Sequence, residues 1–156
     1  MKNTELKILI GISASEKSTW AKDFVSKNDN WCIVSRDDFR YAWQNKGVVD
    51  QKLEVVITEM VTLSIEHLIM SGYSVIYDAT NLKAKYLKSI IAGVVGHVSK
   101  ISYQIFDVHE EVAIARDLLR ERSVGANVIE QQYKDYVALI NNYDFQYLIK
   151  SDIAWT

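Results

Sequence analysis

The sequence predicts an α/β domain in which a mainly parallel sheet lies between two layers of helices. Three observations carry that expectation. Short apolar runs recur along the chain, longer segments with helical apolar spacing separate them, and no linker, repeat or low-complexity tract interrupts the alternation. Strand-helix-strand units of this kind close into parallel sheets with right-handed crossovers, and ligands of such sheets bind beyond the carboxyl ends of the strands.

The elements follow in order. Leu6 to Ile10 is a short apolar run closed by Gly11, the pattern of a strand buried on both faces, and Lys17 to Val25 reads as a helix. Trp31 to Val34 forms a second strand, with Ser35 to Asp38 as the turn after it and a helix beyond, for which Asp38 is the expected N-cap. Leu53, Val56, Ile57, Met60, Val61, Ser64 and Leu68 recur at helical spacing and end at Ser71-Gly72, a C-terminal cap. Tyr73 to Tyr77 is a strand. Leu87, Ile90, Ile91, Val94 and Val95 describe the next helix, and Ile101 to Val108 the next strand. Val112 to Arg122 and Val128 to Tyr143 read as helices, and the tail from Phe145 to Trp155 supplies a last strand.

With 156 residues the chain fits one domain spanning 1–156. Its 49% apolar and 24% charged residues exclude a disordered, fibrous or coiled-coil chain. Eighteen basic against twenty acidic residues leave a net charge of -2, too little positive charge to hold a long nucleic acid by counterion release, so a polyanion must be gripped locally. Cys32 is the one cysteine, which suits a reducing, cytoplasmic compartment and a core position. The longest uncharged apolar stretch, around Ile90 to Val98, is too short for a bilayer, so no membrane partner is expected.

Chemistry concentrates at the strand ends. Gly11-Ile12-Ser13-Ala14-Ser15-Glu16-Lys17-Ser18-Thr19 has the spacing of the phosphate loop G-x-x-x-x-G-K-[ST], with Glu16 in place of the second glycine. Such a loop turns backbone N–H groups inward at a helix N-terminus, sends a lysine to the β and γ phosphates and sets a hydroxyl on Mg²⁺. Gly11, Ser13, Ala14, Ser15, Glu16, Lys17, Ser18 and Thr19 are therefore candidates for ATP, and Ser18 for the metal. Glu16 weakens binding if its carboxylate turns inward and matters little if it turns outward. After the second strand, Arg36, Asp37, Asp38 and Arg40 set two carboxylates beside two guanidiniums. One acid can take the proton of an attacking hydroxyl and an arginine can hold an acceptor phosphate. Val75-Ile76-Tyr77-Asp78 ends a buried strand in a carboxylate suited to Mg²⁺.

Gly11 to Thr19, Arg36-Asp37-Asp38-Phe39-Arg40 and Asp78-Ala79-Thr80-Asn81 together resemble the kinase domain of phage-type polynucleotide 5′-kinases, whose corresponding stretches read G-x-x-x-x-G-K-S-T, R-D-D-Y-R and D-T-N. The likeness runs from about Leu6 to Tyr143. It implies a P-loop kinase-like three-layer fold with a helical lid, and transfer of the γ-phosphate of ATP, with Mg²⁺, to a DNA or RNA 5′ end. It further implies Asp37 as general base, Arg40 on the acceptor phosphate with Arg36 beside it, and Thr80 and Asn81 as acceptor contacts. Lys17 serves the donor, and Ser18 and Asp78 the metal. Arg116 and Arg120, four apart on one helical face, make a lid pair over the γ-phosphate, with Arg120 the catalytic one. Val124-Gly125-Ala126-Asn127 lacks the proline that the family places after its lid, which leaves the acceptor channel the least matched region. A kinase for a nucleoside, nucleotide or modified base therefore stays open, as does a non-catalytic nucleic-acid binder disabled by Glu16 and a homo-oligomeric state. Phe39, Tyr41 and Trp43 are core or rim aromatics that could stack a base, Lys83, Lys85 and Lys88 a solvated basic face, and His67, His97 and His109 carry no assigned chemistry.

Overall fold

A computed structural model describes residues 3–143, 145, 154 and 155. Four strands form its sheet: β1 (Glu5–Ile10), β2 (Trp31–Ser35), β3 (Ser74–Asp78) and β4 (Lys100–Ile105), with a two-residue strand β5 (Ala154–Trp155) at one edge. All pairings are parallel and the order is β2-β3-β1-β4-β5. The rest of the predicted tail strand lies outside the described residues.

Among the described residues six helices connect the strands: α1 (Lys17–Lys27), α2 (Arg36–Gln44), α3 (Gln51–Met70), α4 (Ala84–Val94), α5 (Glu110–Asp117) and α6 (Ala126–Asn142). The alternation of side chains along each strand divides them into two layers. Leu6, Ile8 and Ile10 of β1 and Val75 and Tyr77 of β3 face Ile57, Val61 and Ile65 of α3, Leu87 and Ile91 of α4, and Ile129, Tyr136 and Leu139 of α6. Leu9 and Ile76 face the other way, against Ala21, Trp20 and Phe24 of α1, with Trp31 and Phe106 closing that aromatic layer. The expected three-layer α/β/α architecture is thus present, and it is that of P-loop kinases. Among the described residues no helix is long and apolar enough to cross a membrane.

The predicted stop at Ser71-Gly72 holds. Gly72 has φ 93°, and the Gly72 and Tyr73 N–H groups donate to the Ile69 and Leu68 carbonyls. Register fixes the working edge. Ser35 pairs with Asp78, and Ile8 with both Tyr77 and Tyr103, so the segments after β1, β2 and β3 leave the sheet side by side. A helix begins directly at Arg36 where the sequence suggested a turn, because the Ser35 hydroxyl accepts the Asp38 N–H at 3.4 Å and caps it. Asp38 is therefore not the cap. It sits in the first turn with Asp37, where two carboxylates complement the positive end of the helix dipole.

Candidate active site

The loop between β1 and α1 is held from several directions. Gly11 is required by space: a Cβ there would lie 2.9 Å from the Phe106 Cβ and from the Ser15 hydroxyl. Its N–H donates to the Thr80 carbonyl at 3.1 Å, which ties the loop to the end of β3. Ala14 and Glu16 adopt left-handed backbone, φ 60° and 71°, at a cost of about 1–2 kcal/mol each for residues with a Cβ. The Glu16 side chain is exposed and accepts the Thr19 hydroxyl at 3.2 Å, so the carboxylate is turned outward.

Lys17 opens α1 and is 8% exposed. Its Nζ donates to the Ile12 carbonyl at 2.7 Å and to the Ser15 hydroxyl at 3.3 Å, spanning the loop. Burial lowers its pKa to about 8, against the pull of Asp78 and Asp37, with Arg120 adding to the depression. Those three influences come from the sequence-predicted metal, base and lid residues, which lie within electrostatic reach of one ammonium. Next to it the Ser18 hydroxyl donates to Asp78 Oδ2 at 2.7 Å. Burial pushes the Asp78 carboxyl above its usual range, Ser18 and Lys17 oppose this, and Asp37 and Asp38 add to it. A hydroxyl and a partly charge-starved carboxylate are hard oxygen donors. Magnesium takes one or two such protein oxygens and fills its shell with water and phosphate oxygens, so Ser18 and Asp78 fit that ion. Among the described residues no group of three or more His, Cys, Asp or Glu forms a fuller cage.

Across the edge, α2 and α3 build an ionic lattice. Arg40 donates from Nε to Glu54 Oε1 at 2.6 Å, from Nη2 to Glu54 Oε2 at 3.1 Å and from Nη1 to Asp37 Oδ1 at 2.6 Å. Three of its five N–H donors are engaged, leaving two for an incoming anion. Arg36 donates to Glu54 Oε2 at 2.8 Å and to the Thr58 hydroxyl at 2.7 Å, so its guanidinium braces α2 against α3. Burial raises the Glu54 carboxyl, but the hydrogen bonds and charges of Arg40 and Arg36 hold it below the usual range. Burial opposes the charge on Arg40, yet Glu54 and Asp37 keep its pKa above the ordinary value. Glu54 is the residue that motif reading missed. Its signal was a carboxylate in the first turn of a helix whose next turns bury Ile57, Val61 and Ile65.

Other predicted contacts divide. The Thr80 carbonyl supports Gly11. Asn81 is 5% exposed and its side-chain N–H₂ group donates to the Leu9 carbonyl at 2.7 Å and the Ala79 carbonyl at 3.3 Å. Both of its N–H donors are used to clasp the ends of β1 and β3. Phe39 and Trp43 pack edge to face at 5.5 Å, Trp43 on the rim, while Lys83 pairs with Asp135 at 3.0 Å.

The lid differs from the helix that spacing predicted. α5 stops at Asp117, so Arg116 lies in its last turn, Arg120 in the segment beyond, and the two do not share a helical face. The cause is Asp117, only 2% exposed, which accepts the Ser123 hydroxyl at 2.7 Å and the Val124 and Gly125 N–H groups at 3.0 and 2.9 Å. These bonds wind residues 118–125 into a compact turn. They outweigh burial and, with Arg120 at 3.8 Å, hold the Asp117 carboxyl below its usual range. The Arg122 guanidinium lies 3.6 Å over the Tyr41 ring, so the lid turn reaches across to α2. A further contact comes from α6, where Gln132 Oε1 accepts the Ser13 N–H at 2.8 Å.

Comparison with known proteins gives the same architecture. A chain in the structure of the Pnkp1/Rnl/Hen1 RNA repair complex is 30% identical, with a TM-score of 0.84 over 93% of this chain and 48% of that one. A chain from a second Pnkp1/Rnl/Hen1 complex is 34% identical, with a TM-score of 0.70 over 74% of this chain and 40% of that one. This chain thus spans about half the length of the first and less of the second. A gluconokinase from Sinorhizobium meliloti, at 13% identity and TM-score 0.61 over 97% and 89% of the two chains, shares the fold. The AAA domain family matches residues 6–141. The chain belongs to that AAA domain family, with the fold of a P-loop kinase.

Proposed function

We propose that this protein is an ATP-dependent kinase that phosphorylates the 5′-hydroxyl of a DNA or RNA end. The observation that carries the proposal is the triple contact of Arg40 with Asp37 and Glu54 at the same strand edge as Lys17. It sets a carboxylate base and an anion-binding guanidinium within one side chain of each other, as transfer to a phosphate-bearing acceptor requires. Support comes also from a chain of the Pnkp1/Rnl/Hen1 RNA repair complex, 30% identical to this one, and a chain of a second Pnkp1/Rnl/Hen1 complex, 34% identical.

In this reading the backbone N–H groups of residues 14–18 hold the β and γ phosphates, the Ser13 N–H being taken by Gln132. Lys17 Nζ exchanges the Ile12 carbonyl for phosphate oxygen, which returns to the ammonium the charge that burial discourages. Ser18 and Asp78 would hold Mg²⁺, which supplies charge neutralisation on the phosphate oxygens. Arg40 receives the acceptor phosphate with its two remaining donors. Asp37, exposed at the end of the lattice, accepts the proton of the 5′-hydroxyl as that oxygen bonds to the γ-phosphorus and the bond to ADP breaks in line. Arg120, paired with Asp117 at 3.8 Å and within electrostatic reach of Lys17, neutralises charge on the transferred group. Arg116 is the second lid cation.

The test is γ-labelled ATP with 5′-hydroxyl DNA and RNA oligonucleotides, free nucleosides and gluconate in parallel. Label on an oligonucleotide 5′ end is expected. Label on nucleosides or gluconate alone rejects the polynucleotide reading, and ATP binding with no transfer to any acceptor points to a non-catalytic binder.

A further inference from the structure

We infer that Gln132 is a positioning residue that holds the phosphate loop in its anion-binding curve and links it to α6, offsetting the strain that glutamate adds at the loop's second glycine position. The inference rests on the nucleotide-binding reading of that loop.

The argument starts from backbone strain. A loop that curves around phosphate needs left-handed residues, and here Ala14 and Glu16 supply them at φ 60° and 71°. Glycine adopts that geometry freely, whereas residues with a Cβ are pushed back toward right-handed or extended backbone. A strained loop keeps its shape only where its surroundings over-determine it. Gly11 is fixed at one end by the Thr80 carbonyl, and Lys17 is fixed at the other by α1. Between them Ser13 precedes the first strained residue, and its N–H is gripped from outside by Gln132 at 2.8 Å.

The grip is built into the fold. Gln132 lies three residues after Ile129 and four before Tyr136, both buried, so it emerges from the face of α6 that packs on the core. Its backbone cannot drift without disturbing that packing. α6 also begins directly after the turn that Asp117 winds around the Ser123 hydroxyl and the Val124 and Gly125 amides. One amide oxygen therefore joins the loop that holds the donor to the helix that follows the turn carrying Arg120. Glu16 with its outward carboxylate is tolerated because the curve is enforced from α6 and not by the residue's own preference.

The experiment titrates the protein calorimetrically with MgATP as wild type, Gln132→Met, Glu16→Gly and the double variant. Amide exchange at Ser13 is followed in the same proteins and in Gln132→Glu, which retains an acceptor. Methionine fills the space but accepts no hydrogen bond. Losing one net hydrogen bond weakens MgATP binding about fivefold, in a range of about 2- to 13-fold. Ser13 exchanges faster in Gln132→Met and stays protected in Gln132→Glu. Glycine at position 16 removes the strain that lets the freed loop relax. At 0.15 M ionic strength it therefore restores most of the lost affinity in the Gln132→Met background, beyond the about twofold charge effect that is all it gives in wild type. A structural role unconnected with the loop strain makes the two changes additive. Additivity, or unchanged MgATP affinity in Gln132→Met, overturns the inference. A wild-type protein that takes up no MgATP rejects the proposed function, and the Ser13 exchange of Gln132→Met against Gln132→Glu still decides whether Gln132 holds the loop.

Discussion

Replacing Glu16 with glycine separates two effects that the phosphate loop combines in one side chain. The first is backbone strain. With φ at 71°, the glutamate costs about 1–2 kcal/mol, and glycine gives back about 0.5–1 of that through its greater freedom in the unfolded chain. Unfolding free energy should therefore rise by between about 0 and 1.5 kcal/mol, a Tm increase of no more than about 5 °C for a domain of this size. This strain is common to the free and bound loop and cancels from the affinity. The second effect is charge. The carboxylate faces solvent, held by Thr19 at 3.2 Å, so its repulsion acts through water: about 0.5 kcal/mol per unit charge at roughly 8 Å, cut to less than half by physiological salt. Against the roughly two net negative charges of MgATP, Glu16→Gly should tighten binding about fivefold at low salt and about twofold at 0.15 M. Calorimetry at two ionic strengths reads both. Tightening of a hundredfold or more, insensitive to salt, would mean that the carboxylate lies inside the phosphate hollow, and the reasoning would fail.

Other expectations follow from the same geometry. Asp37→Asn should lower kcat by about two to four orders of magnitude while leaving MgATP affinity within about a factor of three, read by single-turnover transfer and calorimetry; equal loss of both would remove Asp37 from the base role. Glu54→Gln takes the charge that holds Arg36 and Arg40, so the acceptor KM should rise about tenfold with the donor KM unchanged, at a stability cost of about 1–3 kcal/mol measured by urea unfolding. Lys17 has its pKa lowered to about 8, chiefly by burial. Triphosphate favours the charged form, so binding at pH 8 should draw protons from the buffer, with little uptake at pH 6.5, and affinity should fall as pH rises above 8. Between about 8 and the usual lysine range the unfolded chain holds the proton that the folded chain has lost, so this group makes stability rise with pH there. Titrations in buffers of different ionisation enthalpy check the uptake, and urea midpoints check the slope.

How much of this could be read from residues alone depends on whether a signal was local. β1 and β3 were legible because strands buried on both faces are nearly continuous apolar runs, and α3 because Leu53, Ile57, Val61 and Leu68 recur with the helical period, although Ile65 and Ile69, which the core also buries, were not part of that series. The loop after β1 was legible too: Gly11, Lys17, Ser18 and Asp78 stand at fixed offsets from strand ends, and folding brings Ser18 and Asp78 into hydrogen bond. What stayed hidden depended on partners far along the chain. The clasp that the Asn81 N–H₂ group makes on β1 shows only once the Leu9 carbonyl approaches it. The arginine pair at 116 and 120 followed from uninterrupted helical spacing, and nothing local announced that Asp117 would turn inward and gather three donors from residues 123–125. Glu54 was hidden for the same reason, since its meaning comes from two arginines on another helix.

The account depends most on whether the loop of residues 11–18 takes a triphosphate although glutamate stands at its second glycine position. Calorimetric titration of the wild-type protein with MgATP, alongside Lys17→Ala, addresses this most directly. One saturable site in the wild type, weakened at least tenfold by removal of the ammonium, is the predicted result. No uptake by the wild type, or equal uptake by both proteins, would contradict it.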